Sequence, residues 1–374
     1  MNKIALVTGA RAEYWLLRPL ISKLQKLQSF MLFVTGEHLS GPGLEKIQAD
    51  NFDVKEKIKC LSEDDTYLGM ALAISNGITN FAHVFDQHKP DIVVLLGDRY
   101  ETFAAAAAAY SLKIPIAHIH GGEVTHGALD DGFRHTISKM AGLHFVCHDV
   151  YKKRLANMGE NPESICNVGA IGLDNMFEFK PNKNCLTFNK YPFLKTDKYF
   201  LLTLHSSTLS VESAESQADA VINALSRFPE YKIVVTQSNR DPDGVLLNKK
   251  WLRWEKENKN VIFIPILGDD YLHVASYSKL VIGNSSSGIL EIPYLDSPVL
   301  NIGSRQDGRV FPKGVFCTNF NATDIEENIK LILASYKNSE KIYGTPGCIS
   351  EKIYNIVSSI PTQPLIYKKF YDAK

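Results

Sequence analysis

This sequence has no surplus of charge, no long apolar run and no closely paired cysteines, and each absence removes a class of protein. Its 374 residues carry 41 Lys and Arg against 41 Asp and Glu. No overall field therefore draws the chain to nucleic acid or an anionic membrane, and an anionic ligand must be held by arginines gathered locally. No apolar stretch approaches the length of a bilayer span. The opening MNKIALVTGA breaks into a glycine turn after too few apolar residues for a secretory signal. The six cysteines (Cys60, Cys147, Cys166, Cys185, Cys317, Cys348) show no CxxC spacing; reduced structural thiols and a cytoplasmic location are expected. The first strand is followed by VTGARA rather than GxGxxG, so the dinucleotide fingerprint is missing too. Solenoid repeats and low-complexity tracts are also missing.

What is present is a regular alternation of short apolar runs and helical patterns, with 45% hydrophobic and 22% charged residues overall. Runs such as KIALVTG, FMLFVTG, DIVVLLG, IPIAHIH and LHFVCH have the continuous apolar character of parallel strands buried on both faces. Between them lie helical patterns, among them the alanine-rich ETFAAAAAAYSLK, which suits close packing on a sheet. Near residue 176 the pattern fails in FEFKPNKNCLTFNKYPFLKTDK, and it restarts at YFLLTLH. The expected architecture is α/β: two Rossmann-like doubly wound domains facing a central cleft. The expected boundaries are an N-terminal domain over 1–175, a linker over 176–198, a C-terminal domain over 199–350, and a helical tail over 351–374.

In open parallel sheets ligands bind beyond the carboxyl ends of the strands. Residues at those ends are therefore the candidates. Arg11 stands at the turn between the first strand and helix, where free N–H groups predict an anion site. DIVVLLG ends in Asp98 and Arg99, and IPIAHIH ends in His120, Gly121, Gly122 and Glu123; Asp130, Asp131, Arg134 and His135 follow closely. His118, His120, Glu123 and His126 could together suggest zinc, but His118 in an apolar strand reads better as a hydrogen-bonded core histidine. In the second half, His205 ends YFLLTLH, Asn239 lies in the loop SNRDPDG, and GNSSSG brings Asn284, Ser285, Ser286 and Ser287 to a strand end and helix start. Those hydroxyls and N–H groups predict a phosphate site. Glu291 is placed about a turn and a half into the following helix to meet a ribose diol, and Arg305 ends the next strand.

The motifs VTGARAEY, LLGDRYE, HIHGGE, DDGFRHTISKM, GNSSSGILEIP and NIGSRQDGR, in this order over residues 7–309, resemble those of the UDP-N-acetylglucosamine 2-epimerases. The likeness is strongest to the hydrolysing branch that serves sialic acid synthesis. The resemblance implies a fold of the glycosyltransferase-B type and UDP contacts at Arg11, Arg99, Ser285, Ser286, Glu291 and Arg305, with His205 near the diphosphate. It implies catalytic acids at Asp98 and Asp130. Where some relatives carry glutamate this chain has His120, so either His120 or Glu123 does that residue's work. Arg134 and His135 are expected to support these groups, and Asn239 to touch the nucleotide or sugar. The implied substrate is UDP-GlcNAc, converted with water to N-acetylmannosamine and UDP through a glycal. The alternatives are the same reaction on UDP-2,4-diacetamido-2,4,6-trideoxyglucose, a glycosyltransferase of this architecture, or a sugar-nucleotide sensor. No metal or nicotinamide cofactor is implied. A homodimer or higher homo-oligomer is expected, with no nucleic-acid or membrane partner.

Overall fold

The structure, a computed structural model, describes residues 2–60, 66–126, 128–196, 198–206, 212–238 and 243–372. The chain divides into two compact units. The first comprises Met1–Glu123, Asp130–Glu178 and Tyr343–Lys374, the second Val124–Leu129 and Phe179–Ile342.

In the first unit β1 (Ile4–Thr8), β2 (Phe30–Val34), β3 (Val54–Lys57), β4 (Ile92–Leu96), β5 (Ile116–Ile119), β6 (Leu143–Val146) and β7 (Ile165–Asn167) form one parallel sheet, ordered β3-β2-β1-β4-β5-β6-β7. The crossovers carry α1 (Arg11–Leu24), α2 (Gly41–Ala49), α3 (Tyr67–His88), α4 (Tyr100–Ser111), α5 (Asp130–Met140) and α6 (Asp149–Asn157). β1, β4 and β5 are buried along their whole length, in keeping with their largely apolar sequences. The alanines of α4 pack with Phe81 and Phe85 of α3 and with Val93 and Leu95 of β4 in one core. Gly77 makes that packing possible: a Cβ there would lie 2.4 Å from Cys60 Sγ and 2.9 Å from Ala104 Cβ.

The second unit repeats the plan with β8 (Tyr199–Thr203), β9 (Lys232–Thr236), β10 (Val261–Ile264), β11 (Leu280–Gly283), β12 (Val299–Ile302) and β13 (Val315–Thr318), ordered β10-β9-β8-β11-β12-β13 and parallel throughout. Its helices are α7 (Leu186–Lys190), α8 (Ala214–Leu225), α9 (Gly244–Glu257), α10 (Tyr271–Tyr277), α11 (Ser287–Leu290) and α12 (Ala322–Ser335). Trp251 and Trp254 of α9 join Phe200, Leu202 and Ile233 in its core. The final helix, α13 (Ile349–Ser359), packs against α1 of the first unit. It is fastened there by the Asp174 carboxylate, which accepts Gly347 N–H at 2.7 Å and Ser350 N–H at 2.6 Å.

The α/β class and the two doubly wound sheets agree with the sequence reading. Its boundaries need correction. Residues expected in a linker over 176–198 include α7, and the unit boundary falls between Glu178 and Phe179. The expected C-terminal domain over 199–350 ends at Ile342, and the tail belongs to the first unit. Among the described residues no helix is long and apolar enough to cross a membrane.

Candidate functional site

Both sheets reverse their strand order at one place, between β1 and β4 in the first unit and between β8 and β11 in the second. A crevice forms where neighbouring crossovers diverge in this way. In each unit the candidate residues follow the strands at that reversal or the next strand along.

In the first unit Gly97 ends β4 with φ +79°. β5 grips it from both sides: Gly97 N–H donates to Ile119 O at 3.0 Å, and His118 Nε2 lies 2.7 Å from Gly97 O. This turn delivers Asp98. His118 Nδ1 is 3.0 Å from Ser138 Oγ, so both ring nitrogens are engaged, and burial pushes the imidazole down to about 3. His118 is thus a neutral structural histidine and not a zinc ligand. Arg134, buried at the middle of α5, bonds the Asp98 carboxylate through Nη2 and His120 O through Nη1 at 3.0 Å. Asp130 is the first residue of α5, and Asp131 lies 3.5 Å from His135 one turn on.

His120 leaves β5 at φ +65°, a left-handed conformation that a residue with a Cβ adopts at a cost. Its Nδ1 is hydrogen-bonded to Glu123, which also accepts Cys147 Sγ at 3.1 Å and lies 3.9 Å from Arg134 Nη1. The sequence reading did not single out Cys147 for this site. Its signal was position, since it follows the last residue of β6, the strand next to β5.

Two expectations for the arginines change. Arg99, taken as a UDP contact, bonds Glu101 with Nε at 3.2 Å and Nη2 at 3.3 Å, and Glu13 and Asp130 add to the field around it. Arg11 lies 3.6 Å from Glu37. The N–H groups expected to form an anion site beside Arg11 are occupied, because Glu13 Oε2 accepts Gly9 N–H at 2.9 Å and Ala10 N–H at 3.1 Å. Burial raises the Glu13 carboxyl to about 7. An acid whose pKa is raised on folding loses stability as pH climbs from the unfolded value toward the folded one. Glu13→Gln keeps an acceptor for both N–H groups and cannot ionise. Its melting temperature relative to wild type should rise between pH 5 and pH 8, by an amount corresponding to at most about 3 kcal/mol. A pH-independent difference in thermal melts would show that Glu13 is already ionised in the folded protein.

In the second unit the organising residue is Asn284, fully buried after β11. Its Oδ1 accepts His205 N–H at 2.7 Å and its Nδ2 donates to His205 O at 2.8 Å, so one side chain clamps the chain leaving β8. Asn284 O in turn accepts Arg305 Nη1 at 3.1 Å and Gln306 Nε2 at 2.7 Å. Three strand ends are thereby locked together. Only glycine can precede it: Gly283 has φ +135°, and a Cβ would fall 1.9 Å from Thr203 O. The sequence reading counted Asn284 among phosphate donors; its side chain is spent on this clamp. Ser285, Ser286 and Ser287 remain half-buried, with Ser287 Oγ bridging Tyr271 OH at 2.7 Å and Ser285 Oγ at 3.1 Å over a small pocket also lined by Thr203 and Asn301. Glu291 is buried at the C-cap of the four-residue α11, not a turn and a half into a longer helix. Burial, aided by Arg305, pushes His205 down to about 3, so the ring is neutral here and offers a hydrogen bond rather than a charge. Asn239 lies outside the described residues.

The comparisons with known proteins fit this arrangement. Residues 22–358 match the family described as UDP-N-acetylglucosamine 2-epimerase, and the chain belongs to that family. It is similar to the Campylobacter jejuni GDP/UDP-N,N'-diacetylbacillosamine 2-epimerase (hydrolyzing), 35% identical over 334 residues, or 86% of each chain. It is likewise similar to the Escherichia coli polysialic acid biosynthesis protein P7, at 34% identity over 100% of this chain and 98% of that one. The Legionella pneumophila UDP-N,N'-diacetylbacillosamine 2-epimerase (hydrolyzing) is 34% identical over 99% of both chains. Among solved structures, the Neisseria meningitidis UDP-GlcNAc 2-epimerase bound to UDP-GlcNAc superposes with a TM-score of 0.80 at 20% identity, covering 95% of this chain and 99% of that one.

Proposed function

We propose that this protein is a hydrolysing 2-epimerase of a UDP-linked 2-acetamido sugar, releasing UDP and the free epimer. The preferred substrate in this reading is UDP-2,4-diacetamido-2,4,6-trideoxyglucose (UDP-N,N'-diacetylbacillosamine). The observation that carries the substrate choice is the similarity at 34–35% identity to two hydrolysing enzymes named for that sugar. UDP-GlcNAc, as in sialic acid synthesis, is the second reading, favoured by comparable similarity to the polysialic acid protein of E. coli.

The residues answer the demands of this chemistry. A C2 proton with no adjacent carbonyl is hard to remove, so departure of the diphosphate must be assisted as the proton leaves. Arg305 and the hydroxyls of Ser285 and Ser286 supply donors for phosphate oxygens, His205 supplies a neutral N–H, and Glu291 can accept from a ribose diol. Asp98 and Asp130, with His120 and Glu123, supply the proton-handling groups that elimination and then hydration on opposite faces require. Arg99, whose charge interacts with Asp130, adds positive charge near these acids, and Arg134 holds Asp98 and the His120 carbonyl in place.

The test is UDP release from each sugar nucleotide under identical conditions. The 2,4-diacetamido sugar should give the higher kcat/KM by tenfold or more. Faster turnover of UDP-GlcNAc would move the protein to the second reading. Release that required an acceptor alcohol in place of water would identify a glycosyltransferase, and UDP-sugar binding without release would identify a sensor.

A further inference from the structure

We propose that His120 and Glu123 act as an imidazole–carboxylate dyad, in which His120 Nε2 takes the proton from C2 of the sugar and Glu123 fixes the ring that does so. The assignment rests on the 2-epimerase reading above and settles which of the two residues meets the substrate.

Four observations carry it. The His120 main chain is held on both sides, its N–H by Phe145 O at 2.9 Å and its C=O by Arg134 Nη1 at 3.0 Å. A left-handed conformation at φ +65° is therefore kept rather than relaxed. Second, Nδ1 is hydrogen-bonded to Glu123. A carboxylate acceptor at Nδ1 selects the ring tautomer with its hydrogen on Nδ1 and its lone pair at Nε2. Third, His120 is only 6% exposed, and Nε2 has no hydrogen-bond partner among the described residues. Such a nitrogen, shielded from bulk water, is suited to receive a proton from a bound molecule. Fourth, Glu123 is committed: it accepts the imidazole and the Cys147 thiol at 3.1 Å, lies 3.9 Å from Arg134 Nη1, and is 1% exposed. Glu123 is the positioning residue, and Cys147 helps to hold it.

The step balances. The C2–H electron pair becomes the C1=C2 bond as C1–O breaks, the electrons of that bond leave on the UDP oxygen, and the proton ends on Nε2. The Glu123 carboxylate offsets the resulting imidazolium charge. Hydration then moves a proton to C2 from a different acid as water oxygen bonds to C1, and the proton that water loses restores that acid, so His120 is needed for elimination and not for hydration.

The ligating atoms of His120, Glu123 and Cys147 lie within 4.8 Å of one another, a spacing that would also admit zinc. The Arg134 guanidinium 3.9 Å from Glu123 opposes a dication there. The two contacts to Glu123 have the character of hydrogen bonds, and the dyad accounts for all of these atoms.

The test uses the full chain, His120→Asn (asparagine tolerates left-handed φ) and Glu123→Gln, with the preferred UDP sugar and its 2-acetamido glycal as separate substrates. His120→Asn should lose about 10²–10⁴-fold in kcat for UDP release while hydrating the glycal and binding UDP within a few fold of wild type. Glu123→Gln should lower kcat with KM little changed. Nitrogen-15 spectra of histidine-labelled, ligand-free protein should show His120 Nε2 unprotonated in wild type and at least partly protonated in Glu123→Gln. Near-normal UDP release by His120→Asn, equal loss of both half-reactions, or a protonated Nε2 in wild type would overturn the dyad. So would stoichiometric zinc whose removal abolishes UDP release. If wild type released UDP from neither sugar, the functional reading would fall, whereas the ring tautomer would still decide whether the dyad exists.

Discussion

Asp98→Asn and Asp130→Asn should each lower the turnover of UDP release by about 10²–10⁴-fold, the usual contribution of a general acid–base group, and leave UDP affinity within a few fold. The amide is nearly the size of the carboxylate, so the turn at Gly97 and the start of α5 should survive. What is lost is the ability to exchange a proton or to balance positive charge at C1. Asp98 adds a second effect, because its carboxylate is bonded to the buried Arg134. Asparagine removes the nearer carboxylate charge facing that guanidinium, leaving Glu123 at 3.9 Å, and Arg134 also holds His120 O. Asp98→Asn should therefore be the worse of the two in turnover and the only one to lower the melting temperature appreciably. UDP affinity is spared because the diphosphate and ribose groups assigned above belong to the second unit. Steady-state UDP release and titration calorimetry with UDP together check this. Near-normal turnover in both variants would place the chemistry elsewhere, whatever the fate of the UDP site.

The sequence made the two sheets legible because a parallel strand buried on both faces has to be largely apolar, and β1, β4, β5, β8 and β11 are, with Thr8, His118 and Thr203 as their polar residues. The edge strands escaped notice for the opposite reason. β3 reads Val54-Lys55-Glu56-Lys57 and is half-exposed in alternation, and β13 is only partly buried, so neither shows a continuous run. The C-terminal return to the first unit was not legible either, since no spacing in residues 343–374 records that Asp174 receives their N–H groups. At the site, strand-end position correctly gathered Asp98, His120 and Glu123 to one sheet edge. It could not tell which polar atoms fold consumes. Glu13 at the third position of α1 is a legible capping signal, and it fills the N–H groups beside Arg11 before any phosphate can. Strand-end position and the family motifs point Arg99 toward a ligand, and strand-end position does the same for Asn284, yet each has a neighbour in the fold that engages its side chain: Glu101 for the first, the His205 backbone for the second.

That second claim leads to the other large effect. Asn284→Ala should weaken UDP binding by tenfold or more and lower stability by about 2–4 kcal/mol. The side chain is fully buried and makes both of its hydrogen bonds to one peptide segment, His205 N–H and His205 O. Alanine removes both partners at once, and each buried main-chain group left unsatisfied costs about 1–3 kcal/mol. The segment can recover those bonds only by moving toward water, which carries His205 away from the site. The same shift disturbs Asn284 O, where Arg305 and Gln306 are anchored. Arg305→Ala provides the contrast. Its side chain is half-buried and its loss leaves Asn284 O still bonded to Gln306 Nε2 at 2.7 Å, so UDP affinity should fall comparably while the melting temperature stays near wild type. Urea unfolding and UDP titration of the two variants separate the cases. If Asn284→Ala kept both wild-type stability and wild-type UDP affinity, the clamp would have no part in shaping the nucleotide site. If it lost stability but bound UDP normally, His205 and Arg305 would have to reach the nucleotide independently of the strand ends that Asn284 ties together.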